Sequence, residues 1–277
     1  MRFLRINSRE VAMIDKSEKF SLLVRVGYAA RGLVYLLLGY LALTSAGDVS
    51  AGPAASFDVI QAIPLGSLVL YVTALGLLAY ALYRFIAAVG DVEHQGSEAK
   101  GIARRVGYFV SGLTHTVLAW TALQFAQGNK QSSTGGGSEK AAGTLLAWDL
   151  GPIVLGVVGL ALVAAAVFQG RSAITASFKR RVGGGAPPAV RWMGQAGYAA
   201  RAVVFLLVGW SLIKSAWLGS QAEVKGFGQA LMSMRENDAV YAVVAIGLLM
   251  FGVFSLIVAR YRIIPDVQRS DLKPSLR

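Results

Sequence analysis

The sequence predicts an all-α polytopic membrane protein with six transmembrane helices, arranged as three tandem two-helix repeats with approximate three-fold symmetry about the membrane normal. Composition is the first reason, since 55% of the 277 residues are hydrophobic and 15% are charged, against about 25% charged residues in a soluble domain. The second reason is a set of six long apolar stretches. The third is a motif that occurs three times, and an apolar run after every copy predicts one small membrane unit used three times.

The repeated motif is sixteen residues long and has a Gly-Tyr pair at its third and fourth positions. Its copies are Arg25–Tyr40, Arg105–Trp120 and Gln195–Trp210. The first and third copies are identical at nine positions, and the first and second at seven. Because each repeat contains two spans, every copy enters the membrane in the same direction, and such copies can be related by rotation about the membrane normal.

Each transmembrane helix is predicted from an apolar stretch close to the roughly 20 residues that a bilayer requires. In chain order the stretches are Leu22–Ala46, Leu68–Val89, Val106–Ala126, Gly151–Phe168, Ala196–Trp217 and Ala239–Arg260. Repeat 1 then covers 22–92, repeat 2 covers 93–181 and repeat 3 covers 182–262, between an N-terminal arm (1–21) and a tail (263–277). Short segments of mixed polarity before each even-numbered span predict amphipathic helices: Phe57–Leu65, Ala141–Leu150 and Gly226–Met234.

Basic residues are distributed unequally between the two sets of connections. Only five of the 27 lysines and arginines fall on one side, namely Lys130, Lys140, Lys214, Lys225 and Arg235. The positive-inside rule therefore predicts the bacterial cytoplasmic (inner) membrane, with both termini and the basic connections cytoplasmic. The same pattern explains the net charge of +12 without a nucleic-acid partner, because the charges lie in short loops and not on one soluble face.

Several kinds of site are excluded or disfavoured by composition. The chain has no cysteine and only two histidines, His94 and His115. Disulfide and thiolate chemistry are thus impossible, and a histidine-rich metal site is excluded. We expect no metal and no cofactor.

A family resemblance rests on the repeated motif and on the linker between the second and third spans. The segments that carry it are Gly27–Gly32, Gly197–Arg201, Asp91–Gly96, Ala99–Tyr108 and Ser111–Gly112. They resemble the bacterial family known as domain of unknown function 1206, whose members have three repeats of two transmembrane helices. The sequence departs from that pattern at His115, where we expect Tyr, and at Ala202, where the first repeat has a glycine. The resemblance implies a fold and a location but no activity and no catalytic residues.

Three arginines inside or near the spans are the main candidates for a functional role. Arg31 lies about 9 Å deeper along its helix than Arg25, and Arg201 is at the matching position of the third repeat. Ser111 is at that position in the second repeat, and Arg84 lies near the end of the second span. Two guanidinium groups and a hydroxyl that converged there would attract a phosphate or carboxylate. The alternatives are arginines that snorkel to the headgroups and arginines that bind an anionic lipid head specifically.

His115 is a candidate intramembrane polar residue near the middle of its span, where it aligns with Tyr35 and Phe205. Its position fits either a proton relay or a ring packed in place of an aromatic residue. The relay is disfavoured because no acidic residue lies within a span. Ser111 and His115 share one helix face, so a serine hydrolase is one hypothesis for this pair. The chain has neither a Gly-x-Ser-x-Gly elbow nor an orienting acid in the span, so we expect no enzyme.

The sequence thus favours a non-enzymatic membrane protein that binds an anionic lipid head group or small anion near Arg31, Ser111, Arg201 and Arg84. One alternative is a small-solute transporter or channel along the pseudo-three-fold axis. The other is a structural or assembly partner of another membrane protein. The lipid bilayer is the one partner that every alternative shares.

Overall fold

The structure is a computed structural model that describes residues 8–44, 49–93, 95–129 and 137–264. Within these ranges the chain forms nine α-helices and no β-sheet. The helices are α1 (Ser8–Thr44), α2 (Ala55–Ala62), α3 (Gly66–Val89), α4 (Ala99–Ala126), α5 (Gly137–Leu146), α6 (Gly151–Thr175), α7 (Val190–Leu218), α8 (Phe227–Met232) and α9 (Asp238–Tyr261). The start of the predicted N-terminal arm, most of the predicted tail and His94 lie outside the described residues.

The six predicted spans correspond to the six long helices, which confirms the all-α polytopic membrane fold. Five of them, α1 from Phe20, α3, α6, α7 and α9, are long and apolar enough to cross a membrane. The helix α4 is equally long but less apolar, because it carries basic residues in its first two turns and hydroxyl and imidazole side chains further on. It is the third span of the predicted six.

Helix ends follow local chemistry. The side chain of Asn237 accepts a hydrogen bond from the backbone N–H of Val240 and so caps the start of α9. Pro152 stands in the first turn of α6, where its missing N–H costs nothing. Gly219 follows α7 in the left-handed conformation, with φ of 62°. The three short helices α2, α5 and α8 lie in the connections where amphipathic segments are predicted.

The long helices pack side by side in the order α4, α3, α1, α9, α7, α6. Contacts between neighbouring repeats recur in the same form. The first residue of each motif donates to carbonyls at the C-terminal end of an even-numbered span: Arg25 to Ala259 and Arg260, Arg105 to Ala88 and Val89, and Gln195 to Ala173 and Ile174. These side chains satisfy helix-end carbonyls that have no intrahelical partner.

Among the described residues, the two long helices of a repeat pack on each other in the first and third repeats but not in the second. A Cβ atom added at Gly27 would lie 2.8 Å from Tyr80, and one at Gly197 would lie 2.7 Å from Phe251, so each motif glycine brings its helix against the other helix of its repeat. Gly107, the motif glycine of the second repeat, has nothing within 4 Å of the same position. Among the described residues, α4 and α6 therefore do not pack along their length. The second repeat departs from the other two, and the predicted three-fold symmetry stays a prediction.

The largest hydrophobic core lies between α1, α3, α7 and α9. Its rings contact one another mostly edge-to-face, as in Tyr28 against Tyr80 and Tyr35 against Phe251, with centroids 5.1 and 4.9 Å apart. Aromatic pairs of this geometry stabilise a core by about 0.5–1.5 kcal/mol beyond the area they bury. The arginines predicted from the sequence lie among these rings.

Candidate functional site

Arg31 is a buried cation whose partners are hydroxyl groups. Only 4% of its surface is exposed. Its Nη1 donates to the hydroxyl of Tyr80 on α3 at 2.5 Å, and its Nη2 donates to the hydroxyl of Ser255 on α9 at 3.0 Å. The guanidinium carbon lies 4.5 Å from the centre of the Tyr28 ring. Arg31 is thus enclosed by three helices, and its burial departs from the snorkelling alternative.

Arg84 shares the acceptor that Arg31 uses. Its Nε donates to the Tyr80 hydroxyl at 2.8 Å, one turn back along α3. Its guanidinium carbon also lies 5.0 Å from the centre of the Tyr108 ring on α4. One phenolic oxygen therefore serves two guanidinium groups, and among the described residues no carboxylate contacts either of them.

Arg201 has aromatic contacts but no acceptor. Its guanidinium carbon lies 4.5 Å from the ring centre of Phe251, 4.9 Å from that of Phe205 and 5.3 Å from that of Tyr35. Its Nε is buried without a hydrogen-bond partner. Within the described ranges, the Arg201 side chain makes no hydrogen bond or ion pair, although it is half-buried.

The different surroundings of Arg31 and Arg201 follow from the sequences of the even-numbered spans. These spans align on their central glycines, Gly76, Gly159 and Gly247. Four residues further on, repeat 1 has Tyr80 where repeat 3 has Phe251. Eight residues on, repeat 3 has Ser255 where repeat 2 has Val167. A phenylalanine and a valine therefore stand at the corresponding sequence positions, and of these two the structure places Phe251 against Arg201.

The three arginines form one electropositive region. Arg31 and Arg201 both lie over the Phe251 ring, at 4.9 and 4.5 Å. Arg31, Arg84 and Arg201 all act electrostatically on the His115 ring. A set of cations among aromatic rings would hold an anion and would repel a metal cation.

Ser111 and His115 are joined through the backbone and not through the serine hydroxyl. The Nδ1 of His115 lies 2.7 Å from the carbonyl oxygen of Ser111, one turn earlier. Because a carbonyl only accepts, Nδ1 carries the proton. The ring is 5% exposed and lies 4.5 Å from that of Tyr80, and its Nε2 has no partner. No hydrogen bond in the described part of the chain links the Ser111 hydroxyl to His115 or to the arginines.

A second charged cluster, the Glu93 cluster, was missed by sequence reasoning. It consists of Glu93, Arg181, Arg262 and Tyr83. Arg181 pairs with Glu93 at 3.0 Å, and Arg262 pairs with the same carboxylate and donates to the Tyr83 hydroxyl at 2.5 Å. Glu93 follows α3, Arg181 follows α6 and Arg262 follows α9, so the connection after each even-numbered span contributes one charge. The signal available in the sequence was an acidic connection on the same side of the membrane as the arginine-rich ones.

Electrostatics in the Glu93 cluster favour the charged form of the acid. Burial by itself raises the pKa of the Glu93 carboxyl, but the guanidinium groups of Arg262 and Arg181 outweigh burial, so the net pKa lies below its usual range. The acid in turn helps to raise the pKa of Arg181 and of Arg262 against the effect of their own burial. Glu93 thus neutralises cations at the helix ends, whereas no acid contacts Arg31, Arg84 or Arg201 in the described structure.

Comparison with known proteins identifies relatives but no activity. The family model described as Domain of Unknown Function (DUF1206) matches residues 26–91, 106–176 and 196–262, which are the three repeats. The chain is also 30% identical over 249 residues to the "Uncharacterized protein YxxB" of Bacillus subtilis (strain 168), covering 86% of this chain and 90% of the relative. No solved structure matches the chain.

Proposed function

The chain belongs to the DUF1206 family, and we propose that it is a non-enzymatic cytoplasmic-membrane protein that binds an anionic group at Arg201, beside Arg31 and Arg84. The anionic group is a phosphate or carboxylate, carried by a lipid head or by a small anion. One observation carries the proposal: in the described part of the chain Arg201 has three aromatic contacts and no hydrogen-bond acceptor, although its counterpart Arg31 has two acceptors.

Energetics support an anion at Arg201. An arginine within a span costs at least about 2.5 kcal/mol near the bilayer centre. A cation–π contact stabilises the guanidinium by about 0.5–2 kcal/mol. This is less than the cost of placing it in the membrane when it has no hydrogen-bond acceptor. A phosphate or carboxylate would form two parallel charge-assisted hydrogen bonds with the guanidinium fork. Arg31 and Arg84, in the positions they already occupy, would add positive electrostatic potential at the bound anion.

The basic connections support a cytoplasmic position for this site. Arg31 and Arg201 lie in the first turns after Arg25 and Gln195, which contact the ends of neighbouring spans. By the positive-inside rule these ends are cytoplasmic. A site there would face the leaflet that carries the negative surface potential.

The side chains near the arginines favour the binding of a ligand over the catalysis of a reaction. A hydrolase needs a nucleophile and a base within hydrogen-bond reach. In this protein the protonated nitrogen of His115 faces a carbonyl, and the ring lies against Tyr80. The buried rings of Tyr35, Tyr80 and Phe251 between four helices favour binding over conduction along an axis.

The test is the replacement of Arg201 by leucine, with Arg191→Leu as the matched control. Arg191 is exposed and lies on the same helix, outside the arginine region. We expect Arg201→Leu to weaken binding of inorganic phosphate and co-purification of anionic lipid at least tenfold. Isothermal titration and lipid mass spectrometry measure these quantities, and thermal unfolding checks the fold. Binding unchanged by Arg201→Leu, alone and combined with Arg31→Leu, would refute the proposal.

A further inference from the structure

We infer that Gln169 on α6 is a further binding residue of the anion site, and that the ligand carries a hydroxyl proton as well as its negative charge. Both amide atoms of Gln169 would contact this ligand, opposite the guanidinium group of Arg201. This inference rests on the proposed function and adds a binding residue and the chemical class of the ligand. A hydrogen phosphate ion has this chemistry, and so does an anionic lipid head with a free hydroxyl.

Gln169 is a buried amide in a membrane-spanning helix. Only 9% of its surface is exposed. Within the described ranges, neither its Oε1 nor its Nε2 has a hydrogen-bond partner. Because buried side-chain polar atoms nearly always have a partner in folded proteins, these two atoms indicate that a donor and an acceptor are missing beside Gln169.

Hydrogen bonds between repeats fix the register of α6 against α7. Gln195 donates to the carbonyl oxygen of Ala173, as Arg25 donates to that of Ala259. The helix α6 has fourteen positions from its central glycine to this anchored carbonyl, whereas α9 has twelve. In this part of α6, the structural counterpart of an α9 residue therefore lies two positions later than alignment on the central glycines places it.

A second pair of contacts supports the same register. A Cβ atom added at Gly39 on α1 would lie 2.4 Å from the backbone nitrogen of Leu249. One added at Gly209, the counterpart of Gly39 on α7, would lie 3.0 Å from the backbone nitrogen of Val163. Leu249 and Val163 both lie ten residues before the anchored carbonyl of their helix. Counted from these carbonyls, the pair α6–α7 repeats the pair α9–α1.

Gln169 on α6 is then the structural counterpart of Ser255 on α9, since both lie four residues before the anchored carbonyl. Arg31 and Arg201 both lie six residues after the first residue of their motif. Ser255 accepts a hydrogen bond from Arg31 at 3.0 Å. By this correspondence, Gln169 lies beside Arg201. Burial agrees, because Val167, two positions before Gln169, is 66% exposed.

The two facing side chains do not bond each other in the described structure. The Nε of Arg201 and both amide atoms of Gln169 are buried without partners. The amide oxygen could accept directly from the guanidinium, as the hydroxyl of Ser255 does from Arg31. Three unpartnered polar atoms on facing side chains therefore indicate a group that lies between them.

The hydrogen-bonding capacity of Gln169 defines the chemistry of that group. An anionic oxygen would accept from the guanidinium fork of Arg201 and from the Nε2 of Gln169. The Oε1 of Gln169 can only accept, so the ligand must also present a donor. A cationic donor would be repelled by the three arginines, which leaves an anion that has its own O–H. Inorganic phosphate keeps a proton at neutral pH and sulfate does not, so the site should prefer phosphate.

Titration of the full-length protein with inorganic phosphate and with sulfate tests the role of Gln169. Gln169→Leu nearly keeps the size of the side chain and removes both amide atoms. Gln127→Leu is the matched control, because Gln127 is exposed just after the end of α4. We expect the native protein to bind phosphate about fivefold more tightly than sulfate. Gln169→Leu should weaken phosphate binding about tenfold and abolish the preference, and Gln127→Leu should change neither.

Gln169→Glu tests the position of the side chain independently. A carboxylate beside Arg201 would pair with it, as Glu93 pairs with Arg262, and would exclude the anion. We expect this variant to lose phosphate binding and to melt at or above the temperature of the native protein. Phosphate binding of native strength in Gln169→Glu would show that this side chain does not reach the ligand of Arg201, and would overturn the inference.

The remaining outcomes separate this inference from the proposed function. Equal affinity of the native protein for phosphate and sulfate would overturn the hydroxyl-bearing ligand. If Arg201→Leu weakens phosphate binding and Gln169→Leu does not, the role of Gln169 is wrong and the anion site remains. If neither variant changes phosphate binding, the proposed function itself is wrong.

Lipid mass spectrometry distinguishes the two sources of the ligand. A loss of co-purified anionic lipid in Gln169→Leu, together with weaker phosphate binding, would support a lipid head. Weaker phosphate binding with unchanged lipid would support a small anion.

Discussion

The Glu93 cluster and the Arg201 site are two regions where the bundle holds arginines. They differ in the groups that surround the buried positive charge. In the Glu93 cluster one carboxylate pairs with Arg181 and Arg262. At the Arg201 site the guanidinium contacts aromatic rings and, among the described residues, no hydrogen-bond acceptor. Because the same fold supplies a carboxylate to the arginines of one region, the missing acceptor in the other points to a partner from outside the chain.

The comparison also separates structural from ligand-binding arginines. Arg262 pairs with groups outside its own repeat, and Arg31 bonds Tyr80 of its own repeat and Ser255 of the third, so these arginines join the repeats together. Arg201 contributes no hydrogen bond of this kind in the described structure. Its replacement should therefore affect ligand binding more than folding, and the opposite holds for the Glu93 cluster.

Glu93→Gln should have the largest effect on stability. The amide keeps the shape of the side chain but leaves the Arg262 guanidinium buried without a counter-charge, and removal of one partner from a buried ion pair costs about 3–5 kcal/mol. We expect a loss of this size in the free energy of unfolding, measured in mixed detergent micelles. Glu98→Gln, an exposed acid of the same connection, should change little. A similar small change for Glu93→Gln would mean that the carboxylate does not hold the repeats together.

Acidification should reproduce part of the same loss. The folded-state pKa of Glu93 lies below its ordinary value of 4.5. Its charge therefore stabilises the fold fully above the unfolded pKa, and this contribution disappears as the pH falls from about 4.5 through the lower folded pKa. Unfolding measured between pH 7 and pH 3 should show this drop in the native protein. The Glu93→Gln variant should lack that component, and equal slopes for the two proteins would contradict the assignment.

Alanine at the three motif glycines should show that the second repeat differs from the others. Gly27→Ala and Gly197→Ala place a Cβ atom 2.8 and 2.7 Å from the facing helix, and overpacking of this kind costs about 1–3 kcal/mol. Gly107→Ala meets nothing, and alanine is the better helix former by about 1 kcal/mol. We expect lower melting temperatures for the first two variants and an equal or higher one for the third. Equal losses at all three glycines would show that the second repeat is closed.

Much of the fold was predictable because the signals are local in sequence. The spans follow from apolar runs, and this includes the third span, although α4 is the long helix that falls short of the apolar length found in the other five. The three short connecting helices were also anticipated at the right places. The open second repeat was not predicted, because Gly107 belongs to the same motif as Gly27 and only the position of α6 distinguishes them.

The sequence predicted the candidate site only as a set of arginines, without the contacts among them. The sequence identified Arg31, Arg84 and Arg201, because a guanidinium in an apolar stretch is conspicuous. It did not show that Arg31 and Arg84 share the Tyr80 hydroxyl, or that His115 bonds a backbone carbonyl and leaves the Ser111 hydroxyl aside. The Glu93 cluster was missed since its members lie far apart in the chain, with Glu93 and Arg262 separated by 169 positions.

The sequence by itself determined that this protein is a triplicated membrane hairpin with cations at repeated depths, because hydropathy and repetition act over neighbouring residues. The tertiary structure alone decided which arginine has hydrogen-bond acceptors and which has none among the described residues. The acceptors of Arg31 come from residues 49 and 224 positions away, and their absence around Arg201 depends on how α6, α7 and α9 pack. Packing places hydroxyl groups beside one copy of the arginine and the faces of aromatic rings beside the other.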